Sequence, residues 1–164
     1  AEENPRIYLP DVATTLNNLA VLQSVQNELS TAQASYEEAL QIRRTLAEEN
    51  PRTYLPDVAT TLNNLAVLQP LQNELSTAQA SYAEALRIRL TLAEENPRTY
   101  LPDVAMTLIN VSIFYLQAQP DQERSIALAT EVLEIAQNFQ HVPRVMQYAK
   151  AAVQVLQANG VDLK

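Results

Sequence analysis

Cysteine and tryptophan are absent from the 164 residues, and glycine and histidine occur once each. Without cysteine there is no disulfide framework, no thiolate zinc site and no cysteine nucleophile. A lone His141 rules out a metal site built on several imidazoles, and no metal or other cofactor is expected. A lone Gly160 leaves no glycine-rich phosphate loop and no dinucleotide fingerprint. It also supplies few of the turns a sheet needs, so the composition leans to helix. Basic side chains are in the minority, with 11 Lys and Arg against 19 Asp and Glu and a formal net charge of −8. That sign repels a phosphate backbone at long range, so nucleic acid is not an expected partner. No apolar run approaches the roughly 20 residues that cross a bilayer, so no membrane partner is expected either. No signal peptide is visible, and a cytoplasmic location is the expectation. The chain opens inside a repeat unit and reads as a piece of a longer protein.

What is present is apolar and repetitive. Apolar residues make up 47% of the chain, enough to bury a core. Residues 1–46 recur as 47–92 with six substitutions: Ile7/Thr53, Ser24/Pro70, Val25/Leu71, Glu37/Ala83, Gln41/Arg87 and Arg44/Leu90. A third copy opens at Ala93 and then diverges, giving units of about 1–46, 47–92 and 93–138. A fixed period of this size means a solenoid, in which each unit packs on its neighbours. We read residues 1–164 as a single domain of this kind.

Each unit holds two helices. In the second, Pro56 suits a first helical turn and Asp57 complements the positive end of the helix dipole. Val58, Leu62, Leu65, Ala66 and Gln69 then form one stripe at helical period. Ser76 is placed to cap a second helix, with Ala78, Tyr82, Ala85, Leu86 and Arg89 on one side. Asn96-Pro97 ends it, because the residue before proline avoids helical angles, and Asn96–Leu101 reads as a linker. The same reading predicts helices near 10–23, 30–49, 56–69, 76–95, 102–117 and 122–138. A seventh runs from Pro143 to Asn159 as a cap, closed by Gly160 in a left-handed conformation. The predicted fold class is all-α, an α-solenoid of antiparallel helix pairs with three units and a capping helix.

The pattern A-x3-Y-x2-A-L stands at Ala32-Tyr36-Ala39-Leu40 and again at Ala78-Tyr82-Ala85-Leu86. With Leu19-Ala20 and Leu65-Ala66 upstream, it resembles the tetratricopeptide repeat. The strings TLNNLAVL, A-L-x-I-R, N-P and P-D-V-A are most similar to the long repeats of kinesin light chains and their bacterial relatives. Unit three departs, with Ile109-Asn110-Val111-Ser112 in place of N-N-L-A and a second helix shifted by one residue. The resemblance implies a protein-interaction scaffold whose first helices line a concave groove. It places Asn18, Asn64 and Asn110 there, holding the backbone of an extended peptide.

The residues give a matching stripe, opposite the buried one. It comprises Thr14, Asn17, Asn18, Val21 and Val25, then Thr60, Asn63, Asn64, Val67 and Leu71, then Met106, Ile109, Asn110, Ile113 and Gln117. It carries no charge. An Asn amide can donate to a peptide carbonyl and accept from its N–H together. The alternative is that these Asn solvate a helix face or bond the neighbouring repeat. First helices carry no basic residue apart from Arg144 and Lys150 in the last, which argues against gripping a terminal carboxylate. Arg43, Arg44, Arg87 and Arg89 lie on second helices, where ion pairs such as Glu84 with Arg87 account for several. Tyr8, Tyr54 and Tyr100 are read as packing the linkers, and His141 as a loop residue. Neighbouring carboxylates such as Glu48-Glu49 do not face one another on a helix, so catalysis is not expected. The second functional reading is a structural spacer or self-assembling array within a larger protein, a bacterial signalling protein among the possibilities. The N-terminal edge lacks a covering helix, and self-association through Leu19 and Leu22 is expected there.

Overall fold

The computed structural model describes residues 5–162. Seven α-helices account for most of them: α1 (Leu9–Val25), α2 (Leu29–Glu49), α3 (Pro51–Leu68), α4 (Leu75–Glu95), α5 (Pro97–Gln117), α6 (Gln122–Asn138) and α7 (Pro143–Ala158). No strand occurs among the described residues. Short 3-10 turns span Pro5–Tyr8 and Gln69–Gln72. Contacts divide the chain into two compact units, Ala1–Ala85 and Leu86–Lys164. The first repeat unit, expected at about 1–46, opens on residues 1–4, which lie outside the described residues.

The predicted linkers are not linkers. Asn50 ends α2 and also caps α3: its side chain accepts from Thr53 N at 3.3 Å, and Pro51 takes the first helical position. Asn96 and Pro97 do the same for α5. Proline disfavours helical angles at the Asn before it, and that Asn then satisfies an orphan N–H of the next helix. Helices therefore start at Pro51 and Pro97 rather than at Pro56 and Pro102, which lie inside them. Ser76 is not a cap either, since α4 begins one residue earlier, at Leu75, as α2 begins at Leu29. The turns before them are set instead by Asn27 and Asn73, at φ 62° and 63°. Glu28 N bonds Gln23 O and Asn27 N bonds Ser24 O, the paired closure of a left-handed helix end. Gly160 closes α7 in the same way, at φ 80°.

In the first unit, α2 returns against α1 and carries the chain onto α3. Ala20, Ala32, Ala39, Ala66 and Ala78 are fully buried, and their small side chains let the helices approach closely. In the second unit α5, α6 and α7 pack around Val104, Leu108, Val132, Ala152 and Leu156, with Phe139 and Val145 in a neighbouring cluster. Here the alanines at the crossing are replaced by Ser112 and Ser125. Each hydroxyl donates to the other residue's carbonyl, at 2.6 and 3.0 Å. The step from Ser112 to Ser125 is one residue longer than from Ala66 to Ala78, the predicted shift. The cap α7 turns Gln147, Lys150, Gln154 and Gln157 outwards.

α5 corrects one expectation. It is long and apolar enough to cross a membrane by length and composition, with mean hydropathy 1.2, although half of that stretch is buried inside the fold. Its apolar residues are those that pack on α6 and α7.

Candidate binding face

Asn17 and Asn63 do not face a ligand, because both are buried. Asn17 Oδ1 accepts from Asn64 Nδ2 at 3.4 Å and from Arg43 Nη1 at 3.4 Å, which ties α1 to α3 and α2. In the first unit the open face is formed by Thr14, Asn18, Val21 and Val25 on α1, beside Thr60, Asn64, Val67 and Leu71. Val21, Val25, Val67 and Leu71 are all exposed, and so is the Asn18 amide. Thr60 and Asn64 are half-buried. Thr14 and Thr60 donate to the carbonyls of Pro10 and Pro56 at 2.9 Å, so their hydroxyls keep acceptor capacity and their methyls extend the apolar strip. On α5, Asn110 and Ile113 are half-buried and Ile109 is buried. They belong to the second unit.

Buried arginines are the feature that sequence reasoning missed. Arg43, on α2, is 6% exposed, and Arg89, on α4, is 2% exposed. Arg43 Nη1 donates to Thr61 Oγ1 at 2.5 Å and to Asp57 O at 3.3 Å. Arg89 Nη1 donates to Thr107 Oγ1 at 2.5 Å and to Asp103 O at 3.0 Å. Each couples a second helix to the middle of the next helix. Burial lowers both pKa values, opposed by the nearby Asp57 or Asp103 carboxylate. The signal was available: Arg89 falls in the same helical stripe as Ala78, Tyr82 and Ala85. Glu84 meets not Arg87 but Arg44 of α2, at 2.6 Å. Unit three has Ala136 where the others have arginine, one residue out of register, and no such bond is needed there.

The remaining polar features are local. Tyr115 accepts from Arg124 at 3.1 Å, with the guanidinium 5.4 Å from the ring centre. Arg144 pairs with Asp103 at 3.0 Å. Tyr100 packs on the core of the second unit, while Tyr8 is half exposed. His141 is exposed and stacks on Phe139. A cleft of about 290 Å³ beside the Arg6–Glu49 pair has walls of Ile7, Leu9, Pro10 and Leu46.

Comparison with known proteins agrees with this architecture. Residues 12–52 match the tetratricopeptide repeat family. No curated protein matches the chain in sequence. Among solved structures, the chain is similar to the crystal structure of BtubC (BKLC) from P. vanneervenii, with a TM-score of 0.70 and 26% identity. The match covers 91% of this chain but 57% of that one, so the chain spans little more than half of its structural relative. The fold is an all-α helical repeat of the α-solenoid class. Tetratricopeptide repeats generally mediate protein–protein interaction. Residues 12–52 thus match the tetratricopeptide repeat, and the chain resembles the long-repeat, kinesin light chain-like branch of that family.

Proposed function

We propose that the chain is a protein-interaction module that takes an extended peptide or partner segment along the open face of α1 and α3. The observation that carries this is the side-by-side repetition of one uncharged strip. Asn18 and Asn64 stand at equivalent positions of the two helices, flanked by exposed Val21, Val25, Val67 and Leu71. A soluble surface that keeps four aliphatic side chains beside amides is suited to a ligand that brings its own backbone hydrogen bonds. Asn110 and Ile113 offer the same side-chain chemistry on α5. The role is binding rather than catalysis, because the face presents amides, methyls and aliphatic chains and no titratable group.

The test uses a random peptide library panned against the whole chain. Selected peptides should lose affinity for an Asn18→Ala/Asn64→Ala double variant, by about 1 kcal/mol for each lost hydrogen bond. The helical melt should fall only slightly, because the Asn17 Oδ1 that loses Asn64 keeps Arg43, and affinity should depend little on salt because the face is uncharged. Peptides that bind the double variant as well as the parent would favour the spacer reading instead.

A further inference from the structure

One face of α1 is bare, and the rest of the chain shows what covers such a face. Thr61 marks the side of α3 that α2 covers, through Arg43. Val58, Leu65 and Leu68 lie on that side, at i−3, i+4 and i+7, and are each 2% exposed. The same residues one copy earlier are Val12, Leu19 and Leu22, at 42%, 43% and 60% exposure. Thr15, the equivalent of Thr61, is exposed too. On α5 the corresponding Val104, Thr107 and Phe114 are buried, with Arg89 on Thr107. Two of three near-identical faces are therefore covered by a helix whose arginine reaches a threonine hydroxyl and the carbonyl four residues before it.

On α1 those acceptors are already arranged. Thr15 Oγ1 bonds Asp11 O at 2.9 Å, as Thr61 bonds Asp57 O at 3.2 Å and Thr107 bonds Asp103 O at 3.4 Å. We propose that Val12, Thr15, Leu19 and Leu22 form a docking site for an amphipathic helix with a small apolar ridge and one inward arginine. The arginine donates to Thr15 Oγ1 and Asp11 O, while Ala and Leu side chains cover Leu19 and Leu22. Hydrogen bonds from a charged donor in a dry contact select arginine over an uncharged side chain, and the weaker hydration of a guanidinium favours it over lysine where the charge is buried. The site stands apart from the Asn18–Asn64 strip and does not depend on it.

The probe is a synthetic peptide with the sequence of residues 29–49, the helix that covers α3. Its binding to the whole chain is followed by fluorescence anisotropy. Saturable binding is expected, abolished by Leu19→Glu/Leu22→Glu in the chain and unaffected by Asn18→Ala/Asn64→Ala. Both leucines are exposed, so circular dichroism of the variant should match the parent. Replacing the peptide's residue corresponding to Arg43 by Gln should weaken binding at least about tenfold. Absent binding, binding insensitive to the double leucine variant, or equal binding of the Gln peptide would each overturn the proposal. Sedimentation adds a further arm: a dimer dissolved by Leu22→Glu, without peptide binding, would make a second copy the occupant and overturn it as well.

Discussion

The Arg89–Thr107 contact invites a double-mutant cycle, because two large effects oppose each other there. Arg89 gives Nη1 to Thr107 Oγ1 at 2.5 Å and to Asp103 O at 3.0 Å. Burial lowers its pKa more strongly than the Asp103 carboxylate restores it, so holding the charge in this place costs stability. Arg89→Met keeps the volume and removes the charge. It forfeits two hydrogen bonds to a charged group, about 1.5–3 kcal/mol each. It also recovers a desolvation penalty of several kcal/mol. Both acceptors keep a partner, since Thr107 Oγ1 also bonds Asp103 O at 3.4 Å. The net loss is therefore expected to stay within about 2 kcal/mol. Thr107→Val does the reverse, leaving the charge buried without its shortest acceptor, for a loss of about 1.5–3 kcal/mol. In the double variant the valine has no charge left to strand, so the coupling energy should be about 1.5–3 kcal/mol. Urea unfolding followed by far-ultraviolet circular dichroism measures all four species, and an unchanged m value shows that the transition itself is unaltered. A coupling below about 0.5 kcal/mol, or an Arg89→Met variant weaker than Thr107→Val, would refute the reasoning. The Arg43–Thr61 cycle should give the same sign, because its geometry is the same.

Two further contacts separate the copies from one another. Gln23 Oε1 accepts from Ser35 Oγ at 2.9 Å, whereas Gln69 Oε1 is buried without a partner beside Pro70 and the 3-10 turn that follows. Gln69→Leu should therefore raise stability by about 1 kcal/mol and Gln23→Leu should lower it by a similar amount; equal signs in thermal melts would contradict this. Arg44 and Glu84 approach to 2.6 Å but remain 50% and 35% exposed, so Glu84→Gln should change stability by less than about 1 kcal/mol. A larger change, or one that persists at high salt, would count against solvent screening of the pair.

The helices were legible because the apolar period survives in every copy, and because the 46-residue repeat made each unit a check on the others. Their starting points were not. Pro56 looks like a first-turn residue, yet Asn50-Pro51 makes a better start, and a proline six residues into a helix removes a single internal hydrogen bond. Local sequence favours both sites, and only the geometry of the chain reversal selects one. The binding strip was half legible. Helical spacing placed Asn17 and Asn18 on the same outward side, but they differ by 100° around the helix, and the neighbouring α3 reaches only the first. Arg43 and Arg89 were misread for a related reason. Charge normally marks a solvated face, and the carbonyl and threonine acceptors that let arginine go inside lie 14 and 18 residues further along the chain.

The repeat also supplies an unusually clean measure of what tertiary contact contributes. Residues 8–23 and 54–69 have one sequence, so their amides share the same intrinsic exchange chemistry and helix propensity. Their surroundings differ: Val12, Leu19 and Leu22 are exposed where Val58, Leu65 and Leu68 are buried. Burying an aliphatic side chain of this size stabilises by about 1.5–3 kcal/mol. Part of that is lost to the compactness of the unfolded chain, and partial exposure of α1 reduces the contrast further. A difference of at least about 2 kcal/mol in local opening should remain, or roughly thirtyfold in protection. Native-state hydrogen exchange is therefore expected to show α1 opening well before α3, despite their identical residues. Adding the 29–49 peptide should narrow the gap if that helix takes up the bare face. Equal protection of α1 and α3 in the free chain would mean that propensity, not the neighbouring helix, sets local stability, and the nearest-neighbour account of this fold would fail.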